Sequence, residues 1–114
     1  MTTPFKVESI AGARPGQRIL RLDGRLGLDT APEFLKSVRA ATDPVVILDF
    51  SGVSYIDSAG VGSLIQTYAS FKKTERRLAL AHVNERVTAV LQITKVHSLF
   101  AHFPTVKDAE ERLT

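Results

Sequence analysis

A chain of 114 residues, 44% apolar and without cysteine, has the size and composition of one domain, residues 1–114, folded around one hydrophobic core. The missing thiols exclude disulfides, thiolate zinc sites and a cysteine nucleophile. No apolar run approaches the roughly 20 residues of a membrane helix, and the opening Met-Thr-Thr-Pro-Phe-Lys lacks the apolar stretch of a signal peptide. The expectation is a cytoplasmic protein with no membrane insertion. A formal charge of +3 and a pI near 9.5 come from basic residues spread between Arg14 and Arg112. Their one dense patch, Lys72, Lys73, Arg76 and Arg77, is interrupted by Glu75 and reads as a solvated helix end. Nucleic-acid binders show basic stripes interleaved with aromatics, so no nucleic-acid partner is expected.

From Phe5 to Ile10 apolar and polar residues alternate, which predicts a strand. Ala13-Arg14-Pro15-Gly16-Gln17 is a turn, and Arg18 to Leu22 is a second strand ended by Asp23-Gly24, so a hairpin opens the chain. Thr30-Ala31-Pro32-Glu33 has the spacing of a capping box, with proline tolerated in the first turn. Phe34, Leu35, Val38 and Ala41 continue a helix until Asp43-Pro44 breaks it. Val45 to Phe50 is β-branched and almost wholly apolar, as a central strand buried on both faces requires.

From Ser58 the period lengthens, and Val61, Leu64, Ile65, Tyr68 and Phe71 form an apolar stripe ending at Lys72-Lys73. Leu78 to Ala81 is another buried strand, and Asn84 caps a helix carrying Val87, Val90 and Leu91. A short strand from Leu99 to Phe103 and a charged helix from Thr105 to Leu113 complete the pattern. Strand and helix alternate after residue 30, which implies crossover connections and a mixed or parallel sheet with helices packed on it.

The segment richest in chemistry runs from Ile47 to Gly62, where a buried strand leaves through a polar turn and enters a helix at Asp57-Ser58. Ligands of open α/β sheets collect at strand carboxyl ends, and a helix amino terminus favours an anion. Ala59, Gly60 and Gly62 are small enough to let another backbone approach. Asp and Ser are also the commonest helix caps, and spacing alone does not separate a cap from a regulatory site.

Asp57-Ser58-Ala59-Gly60-Val61-Gly62, following Val46-Ile47-Leu48-Asp49-Phe50, resembles the signature of anti-sigma factor antagonists of the sulfate-transporter/anti-sigma-antagonist (STAS) type. Leu22-Asp23-Gly24-Arg25-Leu26 and Thr30-Ala31-Pro32-Glu33-Phe34 look like that family's Gly-Glu-Leu-Asp loop and first helix. Leu78-Ala79-Leu80 and the stretch from Val87 to Phe100 look like its later strand and helix. The resemblance implies an α/β, STAS-like fold: a four- or five-stranded mixed sheet with helices packed mainly on one face. It implies a non-enzymatic switch in which Ser58 is phosphorylated by an anti-sigma factor serine kinase, with Asp57, Ser58, Ala59, Gly60, Val61 and Gly62 as the partner-binding segment. No metal or cofactor is implied, and the protein would be a monomer or weak dimer. The chain departs from the family loop at Gly24-Arg25-Leu26-Gly27, where Gly27 replaces the acidic residue usually found near the serine and Asp29 follows two positions later.

Other motifs carry less. Ser70-Phe71-Lys72-Lys73 matches Ser-x-x-Lys but lies in mid-helix without companion motifs, and Ser58 lacks the Gly-x-Ser-x-Gly elbow. Gly60-Val61-Gly62 has no third glycine and no Gly-Lys-Ser/Thr loop. His82, His97 and His102 read as scattered surface or strand-end residues, and Asp49 as an acceptor for turn amides. Two further classes remain beside the switch: a constitutive interaction subunit of a membrane transport or signalling assembly, and a small-molecule module.

Overall fold

The computed structural model describes residues 4–113, so the start of the opening hexapeptide, residues 1–3, and residue 114 lie outside the described residues. Five strands lie in sequence order across one sheet: β1 (Lys6–Ala11), β2 (Gln17–Asp23), β3 (Val45–Gly52), β4 (Arg77–Ala81) and β5 (Ala101–Phe103). The hairpin is antiparallel, with Val7 opposite Leu22 and Ile10 opposite Ile19. All later pairings are parallel, with Ile47 between Ile19 and Ala79. Parallel neighbours need a crossover, and α1 (Ala31–Ala40), α2 (Ser58–Lys73) and α3 (Glu85–Ile93) supply them. α4 (Val106–Arg112) closes the chain.

The alternation of strand side chains builds two cores. Leu20, Leu22, Val46, Leu48 and Phe50 face α1, α2 and α3, meeting Phe34, Val38, Val61, Leu64, Phe71, Val87 and Leu91. Ile19, Val45, Ile47 and Ala79 face the other way and are covered by Ala109 and Leu113 of the α4 end. β3 has covers on both sides, so Val45 to Phe50 are all buried as the apolar run predicts. The mixed sheet with helices mainly on one face is the expected fold.

Local details depart from expectation. The capping box at Thr30 does not form: no side-chain cap is made. The Thr30 hydroxyl instead donates to the Arg25 carbonyl (2.7 Å) and accepts from the Gly27 N–H (2.9 Å), so it ties the preceding loop. Pro32 lacks one of the N–H groups that would need a cap. On α2 the buried face includes Ser63 and Thr67, whose hydroxyls donate to the carbonyls of Gly60 and Ser63, while Ile65 is 38% exposed. Backbone-bonded hydroxyls are already satisfied, so small polar residues fit a close helix–sheet contact that Ile65 was expected to fill. The last strand is shorter than its apolar run, because His97–Leu99 coil into a 3-10 turn that inserts Phe100 into the core.

The basic cluster is also divided. Arg76 donates from Nε and Nη2 to the Asp43 carbonyl (3.0 and 2.8 Å) and from Nη2 to the Ala41 carbonyl (2.7 Å), and its guanidinium lies 4.0 Å from the Phe71 ring centroid. It closes the end of α1 against the end of α2, while Lys72, Lys73 and Arg77 remain exposed. Replacing Arg76 by Ala should therefore cost about 1.5–3 kcal/mol in urea unfolding. Arg76→Lys should recover only part of that, since an ammonium lacks the planar fork; equal stability of all three proteins would refute the assignment.

Candidate functional site

The carboxyl ends of β2 and β3 are joined by a second, short parallel contact between Leu26 and Ile56. The Leu26 N–H donates to the Tyr55 carbonyl (3.1 Å), and the Asp57 N–H donates to the Leu26 carbonyl (3.3 Å). The loop before α1 is thereby laid beside the residues that enter α2. Asp57 locks this arrangement with both carboxylate oxygens. Oδ1 accepts from the Gly60 N–H (2.9 Å), capping α2, and Oδ2 accepts from the Leu28 N–H (3.1 Å) of the facing loop.

Two glycines make room for that lock. A Cβ on Gly27 would sit 2.5 Å from Asp57 Oδ2, and one on Gly60 would run into the Leu26 carbonyl. Gly60 thus admits a close backbone approach as expected, but the backbone is the chain's own. Gly27, which departs from the family loop, leaves space for the Asp57 carboxylate; an acidic side chain there would meet it directly.

Hydrogen bonding by the Gly60 N–H is the main influence holding the Asp57 carboxyl below its ordinary value of 3.8. Burial opposes this, while the N–H groups of Leu28 and Ala59 and the Arg25 charge add to the lowering. A folded value below the unfolded one means that stabilisation is present above about pH 3.8 and is lost as the pH falls through the folded value.

The expected partner segment is split by this geometry. Gly60 and Val61 are buried and Asp57 is half-buried in its lock, whereas Ser58 and Gly62 are exposed, with Ala59 between. Because Asp57 performs the capping, Ser58 is simply the first helical residue, and among the described residues its hydroxyl has no hydrogen-bond partner. Ser58, Gly62 and Ile65 recur at intervals of four and three, which puts them on one helix face. A Cβ added to Gly62 would meet nothing within 4 Å. On the facing loop Leu28 is 74% exposed although its N–H is held by Asp57, the residue before Ser58. Sequence reasoning did not single out Leu28 or Arg25 as site residues; the available signal was a second leucine, Leu28, between Gly27 and Asp29 in a short loop.

Elsewhere the residues assemble little chemistry. Asp49 is buried and accepts from the Ser51 N–H (2.9 Å), an Asx turn as expected. The histidines are less scattered than the sequence suggests. The His97 and His102 rings stack 4.0 Å apart, His102 Nε2 lies 2.7 Å from the His97 carbonyl, and His82 borders the same cleft. Burial pushes the His102 imidazole below its ordinary value, favouring the neutral ring. Among the described residues no three His, Asp or Glu side chains gather as a metal site, and no helix is long and apolar enough to cross a membrane.

The STAS-domain family profile matches residues 8–109, and the chain belongs to this family. A candidate anti-sigma factor antagonist from Thermotoga maritima is 25% identical, with a TM-score of 0.81 over 96% of this chain and 92% of that one. The anti-sigma factor antagonist SpoIIAA in its unphosphorylated form is 19% identical, with a TM-score of 0.75 over 96% of each chain. The Bacillus cell fate determinant SpoIIAA has also been solved in the phosphorylated form. The murine Solute Carrier 26 family member A9 anion transporter is 20% identical, with a TM-score of 0.81 over 95% of this chain, which spans 22% of the transporter. At their identities SpoIIAA and the transporter share the fold with this chain.

Removing the lock tests its role. Asp57→Ala should lose about 1–2 kcal/mol of stability, the usual range for a deleted helix cap. Asp57→Asn offers one acceptor oxygen in place of two, and it should flatten the loss of stability below about pH 3.8 seen in the wild type. Acid melting curves that are superimposable for wild type and Asp57→Asn would contradict the assignment.

Proposed function

We propose that this STAS domain is an anti-sigma factor antagonist in a partner-switching pathway. It binds an anti-sigma factor kinase while Ser58 is unmodified and releases it once Ser58 is phosphorylated. The observation that supports this reading best is the separation of tasks at the start of α2. A helix cap accounts for Asp57 and leaves the exposed Ser58 hydroxyl without a structural role.

The surface around Ser58 suits a protein partner. Gly62 is flat, Ile65 and Leu28 are apolar and accessible, and α2 carries no charge between Ser58 and Lys72. In the proposed reaction the kinase brings ATP and the base. The Ser58 oxygen bonds to the γ-phosphorus as the bond to ADP breaks, and the hydroxyl proton goes to the kinase. The domain contributes the acceptor hydroxyl and no catalytic group or cofactor. The product carries about −1.5 to −2 charge on a helix face that had none before Lys72. Trapping that charge in an interface needs to cost only about 2 kcal/mol to weaken association roughly thirtyfold. The proposed setting is the cytoplasm, with the domain a monomer or weak dimer.

The likeness to part of an anion transporter favours a second reading, in which the domain is a constitutive interaction subunit and Ser58 is never modified.

Calorimetric titration against the cognate kinase separates the two. Ser58→Ala should bind like the wild type and keep its stability within about 0.5 kcal/mol, as expected for a surface position. Ser58→Asp should bind more weakly while melting normally, because a carboxylate is well placed in a first helical turn. Leu28→Asp should weaken binding at least as much. Equal affinity for wild type, Ser58→Asp and the phosphorylated protein would transfer the domain to the constitutive class.

A further inference from the structure

The charges on the elements around Ser58 are few. Asp57 precedes it, Arg25 and Asp29 stand on the facing loop, Glu33 lies in the first turn of α1, and Glu85 and Arg86 begin α3. The start of α3 is tied to the exit of β3, where its cap Asn84 donates to the Val53 carbonyl (2.9 Å). Arg25 is therefore the one cation of the loop that is laid against Asp57. Its side chain is 57% exposed and, among the described residues, is held only by Asp29, at 3.8 Å, whose own side chain is 78% exposed. The backbone carries Arg25 on the loop that lies beside the start of α2. The next residue, Leu26, bonds both Tyr55 and Asp57 through its main chain, and the Arg25 charge already acts on the Asp57 carboxyl.

Resting on the reading of Ser58 as the modified residue, we infer that Arg25 is the counter-ion of phosphorylated Ser58. Its guanidinium exchanges the loose contact with Asp29 for the phosphate. A phosphate offers more charge and more acceptor oxygens than a carboxylate, in a geometry that the planar guanidinium fork matches. Among the described residues Arg25 makes its ion pair with Asp29 and not with Asp57, whose two oxygens each accept a backbone N–H. The phosphate is then drawn over the loop beside Leu28, which sets its charge in the middle of the exposed apolar surface. Arg25 acts as a positioning residue for the modified state and has no part in transferring the phosphoryl group.

The test is made on protein carrying phosphoserine at position 58 by co-translational incorporation, so that no kinase is required. Phosphorus NMR follows the second ionisation of the phosphate, ordinarily near pH 6, in the wild type, Arg25→Ala, Arg25→Gln and Arg25→Lys. The wild-type ionisation should lie about 0.3–0.7 pH unit below that of Arg25→Ala and Arg25→Gln. Arg25→Lys should fall between, and the gap should shrink at about 1 M salt. Asp29→Ala, which frees the guanidinium, should lower the value further. A purely structural role for Arg25 would alter melting of the unmodified variants and leave the phosphate titration unmoved. Identical titrations in wild type and Arg25→Gln overturn the assignment. Failure of the Ser58 switch shows separately, as phosphoprotein that still binds the partner like unmodified protein.

Discussion

One carboxylate holds the functional end of this domain together. Asp57 accepts from the first turn of α2 with one oxygen and from the facing loop with the other. Its neighbours are fitted to it: Gly27 is bare where a side chain would strike the carboxylate, and Gly60 is bare where one would strike the loop carbonyl. The Asp-Ser-x-Gly pattern is thus first a device for joining two loops at the end of a sheet. The serine is the member of the pattern that the joint does not use.

That arrangement rests on the buried centre of the sheet. β3 is covered by helices on one face and by α4 on the other, so the chain leaving it starts from a fixed point. The parallel contact of Leu26 with Ile56 extends the sheet past the end of β3, and Asp57 seals the extension. Exposed side chains at Leu28 and Ser58 therefore stand on a backbone with little freedom to move. A surface preorganised in this way loses little entropy on association. It also leaves added charge few means of acting except directly, at the interface.

Much of the fold was legible because burial writes itself into periodicity. The apolar run from Val45 to Phe50 and the caps at Asn84 and Asp57 belong to local patterns with local causes. What escaped depends on which partner, near or far in the chain, a side chain takes. Thr30 has the sequence of a cap, yet its hydroxyl is taken by the Arg25 carbonyl, which composition does not reveal. Ile65 looks like core, but Ser63 and Thr67 satisfy their hydroxyls on the helix backbone and occupy the buried face in its place. Arg76 looks like surface charge and is engaged by carbonyls more than 30 positions away. At the candidate site, the motif pointed to Ser58, while the exposure of Leu28 and the fit of Gly27 to Asp57 became visible only in three dimensions.

The central claim is that the start of α2 is a rigid platform on which Ser58 adds or withholds charge without altering the fold. Backbone amide spectra of the unmodified and phosphoserine-58 proteins, with hydrogen exchange on both, test it most directly. The account predicts shifts confined to residues 25–29 and 57–62, with unchanged protection in β3, β4 and α3. Shifts or lost protection spreading through β4, α3 and α4 would contradict it, because the modification would then be acting by remodelling the domain.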